Sequence, residues 1–320
     1  MSSYIDIKYL NLLSTRLPKF KRKSEYLYNF RCPHCGDSQK SQTKARGFVY
    51  RKKNDMFFKC HNCGMGQTLG WIKTLREGIS KDIKNPSPRF VRHTKDDNLP
   101  GYFEDFWTWD LFDEFTDFVH NSPTAQIASE LMNASQVNLV MDNWFLREAG
   151  SRSGAPFHHD ISYFDFDGSM CVLWLPLEPV PKEEAISWIK GSHLWDKLYI
   201  RTRFQEGHPD DGKAGIVNGK SYDITPDILN NKDDYEFLQW DLDMGDCVFF
   251  DIRTLHGSLS QSVPKNTVHR YTLRMAKEGS RIEYRGDWAQ AERAIMESNG
   301  YQNGDDLSGK MFPTLYRKVG

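Results

Sequence analysis

The sequence predicts a mainly β chain in two parts, a small metal-stapled ribbon followed by a larger strand-rich domain with flanking helices. Three observations predict it. Four cysteines form two C-x2-C knuckles near the start, strand patterns dominate from Val137 onward, and His158-His159-Asp160 is answered 96 residues after Asp160 by His256. At 320 residues the chain can hold one metal-stapled module and one full domain.

In chain order, the segment Tyr4 to Leu17 comes first, and its Ile5, Tyr9, Leu12 and Leu13 recur at roughly helical spacing. Cys32-Pro33-His34-Cys35 and Cys60-His61-Asn62-Cys63, separated by 24 residues, can present four thiolates to one tetrahedral Zn(II). Gly36 and Gly64 follow the second cysteine of each knuckle and suit its sharp turn. Two disulfides would instead need an oxidising compartment. No apolar leader follows Met1 and no run approaches a membrane span, so a cytoplasmic chain with reduced thiols is expected. Cys171 and Cys247 fall in apolar strand patterns and are expected to be small core residues. Between the knuckles, Gly47–Arg51 and Met56–Lys59 read as two strands of a hairpin around Lys52–Asp55.

Charge divides the chain in the same way. Residues 1–90 carry 19 Lys+Arg against 6 Asp+Glu, which leaves 23 against 37 for residues 91–320, so a near-neutral total hides two opposite halves. Phe48, Tyr50, Phe57 and Phe58 lie among Arg46, Arg51, Lys52, Lys53 and Lys59. Such a surface can offer phosphate contacts and ring faces to unpaired bases of single-stranded DNA or RNA, unless the rings are only the ribbon's core. The words FRCPHCGDSQKS and ARGFVYRKKNDMFFKCHNCG, with the opening helix, resemble the zinc-binding domain of tailed-phage DNA primases over residues 1–75. That resemblance implies a phage or phage-derived origin and hence the host cytoplasm.

Residues 76–95, with two prolines and no sustained periodicity, are expected to be a linker to a domain at 96–320. Phe103 to Val119 carries a dense aromatic pattern suited to a helix packed on a sheet. Ser122-Pro123 reads as an N-cap and first helical residue opening the helix with Ile127, Leu131 and Met132. The polar stretch Arg201–Asp234 is expected to be a mobile loop that could cover a site mouth. No internal repeat or low-complexity tract is present.

A lone H-x-D is common, and a single histidine is more often a surface or capping residue. In an extended strand, however, His158 and Asp160 share a face while His159 points away. With His256 they form two imidazoles and one carboxylate, a set that holds redox-active iron and leaves three positions open for a co-substrate and O2.

The surrounding segments are similar, over roughly residues 90–290, to the phytanoyl-CoA dioxygenase family of Fe(II)/2-oxoglutarate oxygenases. Asn143–Gly150, Val172–Val180, Gly191-Ser192-His193, Gly245–Phe250 and His256-Gly257-Ser258 follow the family's order of landmarks. The resemblance implies a double-stranded β-helix (jelly-roll, cupin-like) domain, iron held by His158, Asp160 and His256, and 2-oxoglutarate oxidised to succinate as an organic substrate is hydroxylated. It also implies a basic residue for the distal carboxylate of 2-oxoglutarate, for which Arg270 is preferred to Arg274. Arg147, where relatives carry a lysine, is a further candidate, unless it is a solvated strand-end arginine. A planar guanidinium suits a carboxylate in each case. The expected function is thus an oxygenase acting on a small molecule, fused to a ribbon that binds single-stranded nucleic acid. The rival reading is a primase fragment carrying a non-cooperating oxygenase-like domain. Nothing beyond residue 75 resembles the acidic catalytic motifs of primases, and a scaffold has no need of all three metal ligands.

Overall fold

A computed structural model describes residues 6–8, 10–11, 13–15, 17–32, 36–37, 44–53, 55–62, 66–68, 70–152, 154–202, 204, 214–260 and 263–318. The chain divides into two compact units, Met1–Leu75 and Arg76–Gly320. No helix among the described residues is long and apolar enough to cross a membrane.

The first unit is one antiparallel sheet of β1 (Lys21–Ser24), β2 (Leu27–Phe30), β3 (Gly47–Lys52), β4 (Asp55–Cys60) and β5 (Gly66–Thr68), in that order. The hairpin read between the knuckles is β3–β4, paired from Gly47↔Cys60 to Lys52↔Asp55. Alternation along its strands sorts the aromatics: Val49, Met56 and Phe58 are buried with Tyr28 and Phe30 in the unit's core, while Phe48, Tyr50 and Phe57 stand half-buried on the other face. On that face Lys52 lies 5.0 Å from the Phe57 ring, while Arg51 lies 4.8 Å from the ring of Tyr26, which packs against the core. Of the opening segment, residues 6–8 and 10–11 are helical, Leu10 is buried in the same core, and Asp6 accepts the Met56 amide at 2.9 Å. Ile5, Tyr9 and Leu12 lie outside the described residues.

The second unit begins within a helix, which corrects the expected linker: α1 (Trp71–Lys84) crosses the boundary, and strand β6 (Val91–Arg92) follows it. Helical spacing brings Gly78, Ile79 and Asp82 inward, where Gly78 faces the Phe115 ring and Asp82 accepts the Trp144 indole N–H at 2.6 Å. The expected helix from Phe103 is likewise corrected. Tyr102–Phe106 is strand β7, and helix α2 covers only Asp113–Asn121, because the rings of the first part alternate across a sheet. Helix α3 (Thr124–Leu131) starts one residue after the expected proline, with Pro123 in the cap position.

The remaining strands are β8 (Gln136–Arg147), β9 (Phe166–Asp167), β10 (Met170–Pro176), β11 (Ser187–Ile189), β12 (Leu198–Tyr199), β13 (Gly215–Val217), β14 (Lys220–Asp223), β15 (Phe237–Leu238), β16 (Val248–Asp251), β17 (His256–Gly257), β18 (Val268–Lys277), β19 (Arg281–Ile282) and, after helix α4 (Gln290–Ser298), β20 (Thr314–Arg317). The main sheet runs β16-β10-β18-β8-β7-β6, with β20 also on β8, and the smaller sheet runs β15-β11-β17. This is the jelly-roll architecture. The stretch expected to be one loop contains β13 and β14, paired antiparallel. Residues 203 and 205–213 of it lie outside the described residues.

Candidate active site

Three strands of the main sheet floor a cavity of about 730 Å3. Period-two alternation turns Val268, Arg270, Thr272 and Arg274 of β18 inward, beside Asn143, Phe145 and Arg147 of β8 and Val172 and Trp174 of β10. The histidines come from the opposite wall. His158 and His256 exchange both backbone hydrogen bonds, at 3.0 and 2.9 Å, which holds two chain segments far apart in sequence side by side. Gly257 permits this approach, since a Cβ there would meet the Phe157 backbone at 2.8 Å. Ser192 braces the same wall: its hydroxyl donates to the Ile189 carbonyl and accepts the Leu255 amide at 2.8 Å.

Asp160 does not continue a strand from His158, as expected. His159 is extended, and Asp160 opens a 3-10 turn ending at Ser162. The two side chains nevertheless converge, and His159 turns away so that its Nε2 accepts the Tyr199 amide at 3.1 Å. His158, Asp160 and His256 have ligand atoms within 4.8 Å of one another, all three buried. Nδ1 of His158 lies 2.8 Å from the Pro156 carbonyl and Nδ1 of His256 2.9 Å from that of Thr254, so each ring can donate there and leave Nε2 free. The two Nε2 atoms lie 3.3 and 3.6 Å from Asp160 Oδ1. Adjacent ligands about 2.1 Å from one ion sit about 3 Å apart, so the set is one that can close on a single metal with little movement.

Arg274 occupies the other carboxylate oxygen. Its Nε and Nη2 donate to Asp160 Oδ2 at 3.0 and 2.7 Å, and its Nη1 donates to Asn143 Oδ1. Burial alone would raise the Asp160 pKa. The Arg274 guanidinium and the His158 hydrogen bond outweigh it and hold the carboxyl well below the usual range. Burial, reinforced by the neighbouring His158, lowers His256 to about 3, so it is a neutral imidazole at neutral pH. His256 thus offers a neutral nitrogen base beside the Asp160 carboxylate.

Farther along β18, Arg270 lies over Trp174 at 5.3 Å and gives Nη1 to the His269 carbonyl. Burial lowers it to about 10, against the raising effect of Glu178. Glu178 is itself held by the His269 amide and ring, at 2.7 and 2.8 Å. Arg147 lines the same cavity, with Nη2 on the Ser151 carbonyl and a buried Nε that has no hydrogen-bond partner among the described residues. All three candidate arginines thus reach the cavity, but Arg274 faces the Asp160 carboxylate. The clamp of Arg274 and Asn143 on Asp160 was not legible in the sequence. The shared face of Arg270 and Arg274 was, but not which oxygen each would meet. Of the knuckle cysteines, Cys32 and Cys60 are buried, Asn62 N–H donates to Cys60 Sγ at 3.3 Å, and Gly36 takes φ 60°; Cys35 and Cys63 lie outside the described residues.

The phytanoyl-CoA dioxygenase (PhyH) family model matches residues 78–263. The chain belongs to the phytanoyl-CoA dioxygenase family. It is accordingly a 2-oxoglutarate-dependent oxygenase, and the jelly roll and the His-Asp-His cluster accord with that membership. Among solved structures, this dioxygenase resembles the epimerase SnoN, described in complex with Fe3+, alpha ketoglutarate and nogalamycin RO, with a TM-score of 0.58 and 18% identity over 78% of this chain and 90% of that one. It also resembles the alpha ketoglutarate dependent carbocyclase SnoK, with a TM-score of 0.55 and 16% identity over 82% and 92%. Both likenesses concern the fold. The DNA primase of Enterobacteria phage T4 is 37% identical over 83 residues, 25% of this chain and 24% of that protein, so the dioxygenase spans about a quarter of the length of this curated relative.

Proposed function

We propose that the second unit hydroxylates a small organic molecule, with Fe(II) on His158, Asp160 and His256 and 2-oxoglutarate in the adjacent cavity. The observation that carries this reading is the convergence of the three ligand atoms with both Nδ1 atoms directed to carbonyls. Iron with bound 2-oxoglutarate supplies the oxidising chemistry that attacks a C–H bond with O2. The chain supplies placement. Arg274 and Asn143 fix Asp160 so that Oδ1 is presented, Arg270 offers its guanidinium to the distal carboxylate with Arg147 beside it, and Trp174, Val172 and Phe250 keep that end of the cavity apolar. Succinate release by the anaerobically reconstituted chain tests the reading: His256→Ala should lose both bound iron and turnover, and full iron content in that variant overturns the assignment.

A second activity is favoured by the primase likeness. We infer that residues 1–75 bind Zn(II) through Cys32, Cys35, Cys60 and Cys63 and present a basic surface to single-stranded nucleic acid. Gly47 pairs with Cys60, and a Cβ on it would lie 3.4 Å from the Cys32 Cα, so the two described cysteines approach each other. Lys19, Lys21, Lys23, Lys44 and Arg46 line a groove of the same unit. Elemental analysis should find one zinc per chain. Binding to single strands should weaken with salt, with a slope of about 0.7 per phosphate contacted. No binding at low salt leaves the ribbon a purely structural module.

A further inference from the structure

The cavity has a second polar side that neither the metal ligands nor the arginines explain. Across the main sheet, Glu104 of β7, Phe145 of β8 and Arg270 of β18 are register partners in one row. Glu104 and Arg270 therefore stand two strand spacings apart, about 10 Å. On the Glu104 side the wall is completed by His93, by Arg201 and Phe204, and by Glu292 of α4. The hydrogen-bonding groups left unfilled differ between the two sides. Beside Arg270 the unfilled group is a donor, Arg147 Nε. On the Glu104 side they are an acceptor, Glu292 Oε2, and the His93 ring nitrogen Nε2. The Glu292 Oε2 atom is closed off from solvent and has no hydrogen-bond partner among the described residues. Glu104 Oε1 lies 3.3 Å from Nε2 of His93, and that ring nitrogen has no hydrogen-bond partner among the described residues. Arg89, which also lines the wall, directs Nε and Nη2 to the Phe106 and Trp107 carbonyls.

A buried acceptor without a donor costs about 1–3 kcal/mol, and native structures rarely retain one without a reason. Rings frame the same space: Phe204 lies 4.8 Å from His158 and 6.1 Å from both His93 and Tyr163.

We propose that Glu104 and Glu292 bind a basic nitrogen of the substrate, a primary amine or amidine carried on a flat apolar body that the flanking rings enclose. The inference rests on the oxygenase reading above, because it assigns the Arg270 side to 2-oxoglutarate and leaves this side to the substrate. A cationic donor suits the site better than a hydroxyl, since its charge adds Coulomb attraction to the hydrogen bond with a carboxylate, and rings add cation–π attraction. The arrangement also gives the substrate a direction, with its nitrogen held on the far side of the cavity from Arg270 and its apolar body extending past Phe204 toward His158.

The test uses the full chain with Fe(II) and 2-oxoglutarate under anaerobic conditions, titrated calorimetrically with 2-phenylethylamine, 2-phenylethanol and phenylacetate. The amine should bind at least tenfold more tightly than the alcohol and the acid. Glu292→Gln or Glu104→Gln, on separate elements and each checked by its melting temperature, should reduce that preference several-fold. An amine that binds no better than the other two, or not at all, overturns the proposal, as does full preference in both variants. If the wild-type chain fails to bind 2-oxoglutarate, the oxygenase reading falls and takes this one with it. If it binds 2-oxoglutarate without preferring the amine, this inference alone falls.

Discussion

Arg274 and Arg270 lie four residues apart on one strand face, yet they meet different partners and should fail differently. Removing one member of a buried ion pair costs about 3–5 kcal/mol, so Arg274→Ala should lower iron affinity tenfold or more by leaving Asp160 buried and unpinned. Arg270→Ala should leave iron content unchanged and weaken 2-oxoglutarate by about 1.5–3 kcal/mol, read from the Fe(II)-to-2-oxoglutarate charge-transfer band. The reverse pattern would exchange their roles. Asp142 offers a test through pH. It is wholly buried, accepts hydrogen bonds from the Thr108 amide and hydroxyl and from Tyr271, and is raised by burial to about 6. A carboxyl raised in the folded state contributes stability below the unfolded pKa, near 4, and loses it as pH rises through 6. In urea unfolding, the stability of the wild type minus that of Asp142→Asn should therefore fall between pH 4 and pH 7, by at most about 3 kcal/mol at 1.36 kcal/mol per pKa unit. A rise or a flat difference would show that burial does not govern Asp142.

At the scale of elements, the close crossing of β17 over the Phe157–His158 segment depends on Gly257 having no side chain. Gly257→Ala should cost about 1–3 kcal/mol by overpacking and reduce iron binding, measured as metal content after gel filtration. An alanine variant with full iron would mean the wall yields. The contrast between Gly257 and Phe103 explains what could be read in advance. The hairpin β3–β4 and the inward face of β18 are local patterns of period two, visible residue by residue, whereas the H-x-D and its distant histidine were legible only as a set of ligand types. Phe103 and Phe106 belong equally to a helical and a strand pattern, and only pairing of β7 with β8 decides between them. Helix α1 was hidden for a similar reason: the residues it buries are few, and one of them is the charged Asp82, whose partner Trp144 lies 62 positions away. The 3-10 turn at Asp160 has no sequence period at all.

For the whole molecule, Asp82 changes where the chain can be cut. A chain starting at Asn85 would lose the Asp82–Trp144 hydrogen bond and the Gly78 contact with Phe115, so it should be destabilised relative to one starting at Gly70. The longer fragment should fold and release succinate, and insolubility of both while the full chain stays soluble would make the ribbon part of the oxygenase's fold. The opposite charges of residues 1–90 and 91–320 suit one unit to phosphate and leave the other without that attraction. If the units cooperate, single-stranded DNA should raise succinate formation by the full chain and not by the fragment from Gly70. Equal rates would make them independent.

The Arg274–Asp160 pair has a consequence for the order in which the active site is assembled. With His256 a neutral imidazole, the Arg274 guanidinium offsets the Asp160 carboxylate, so these groups offer little net negative charge to an arriving dication. Fe(II) held there would bring two positive charges into a buried cleft, and the dianion 2-oxoglutarate would offset them. Each ligand should therefore tighten the other, and by the same factor, since coupling between two sites is reciprocal.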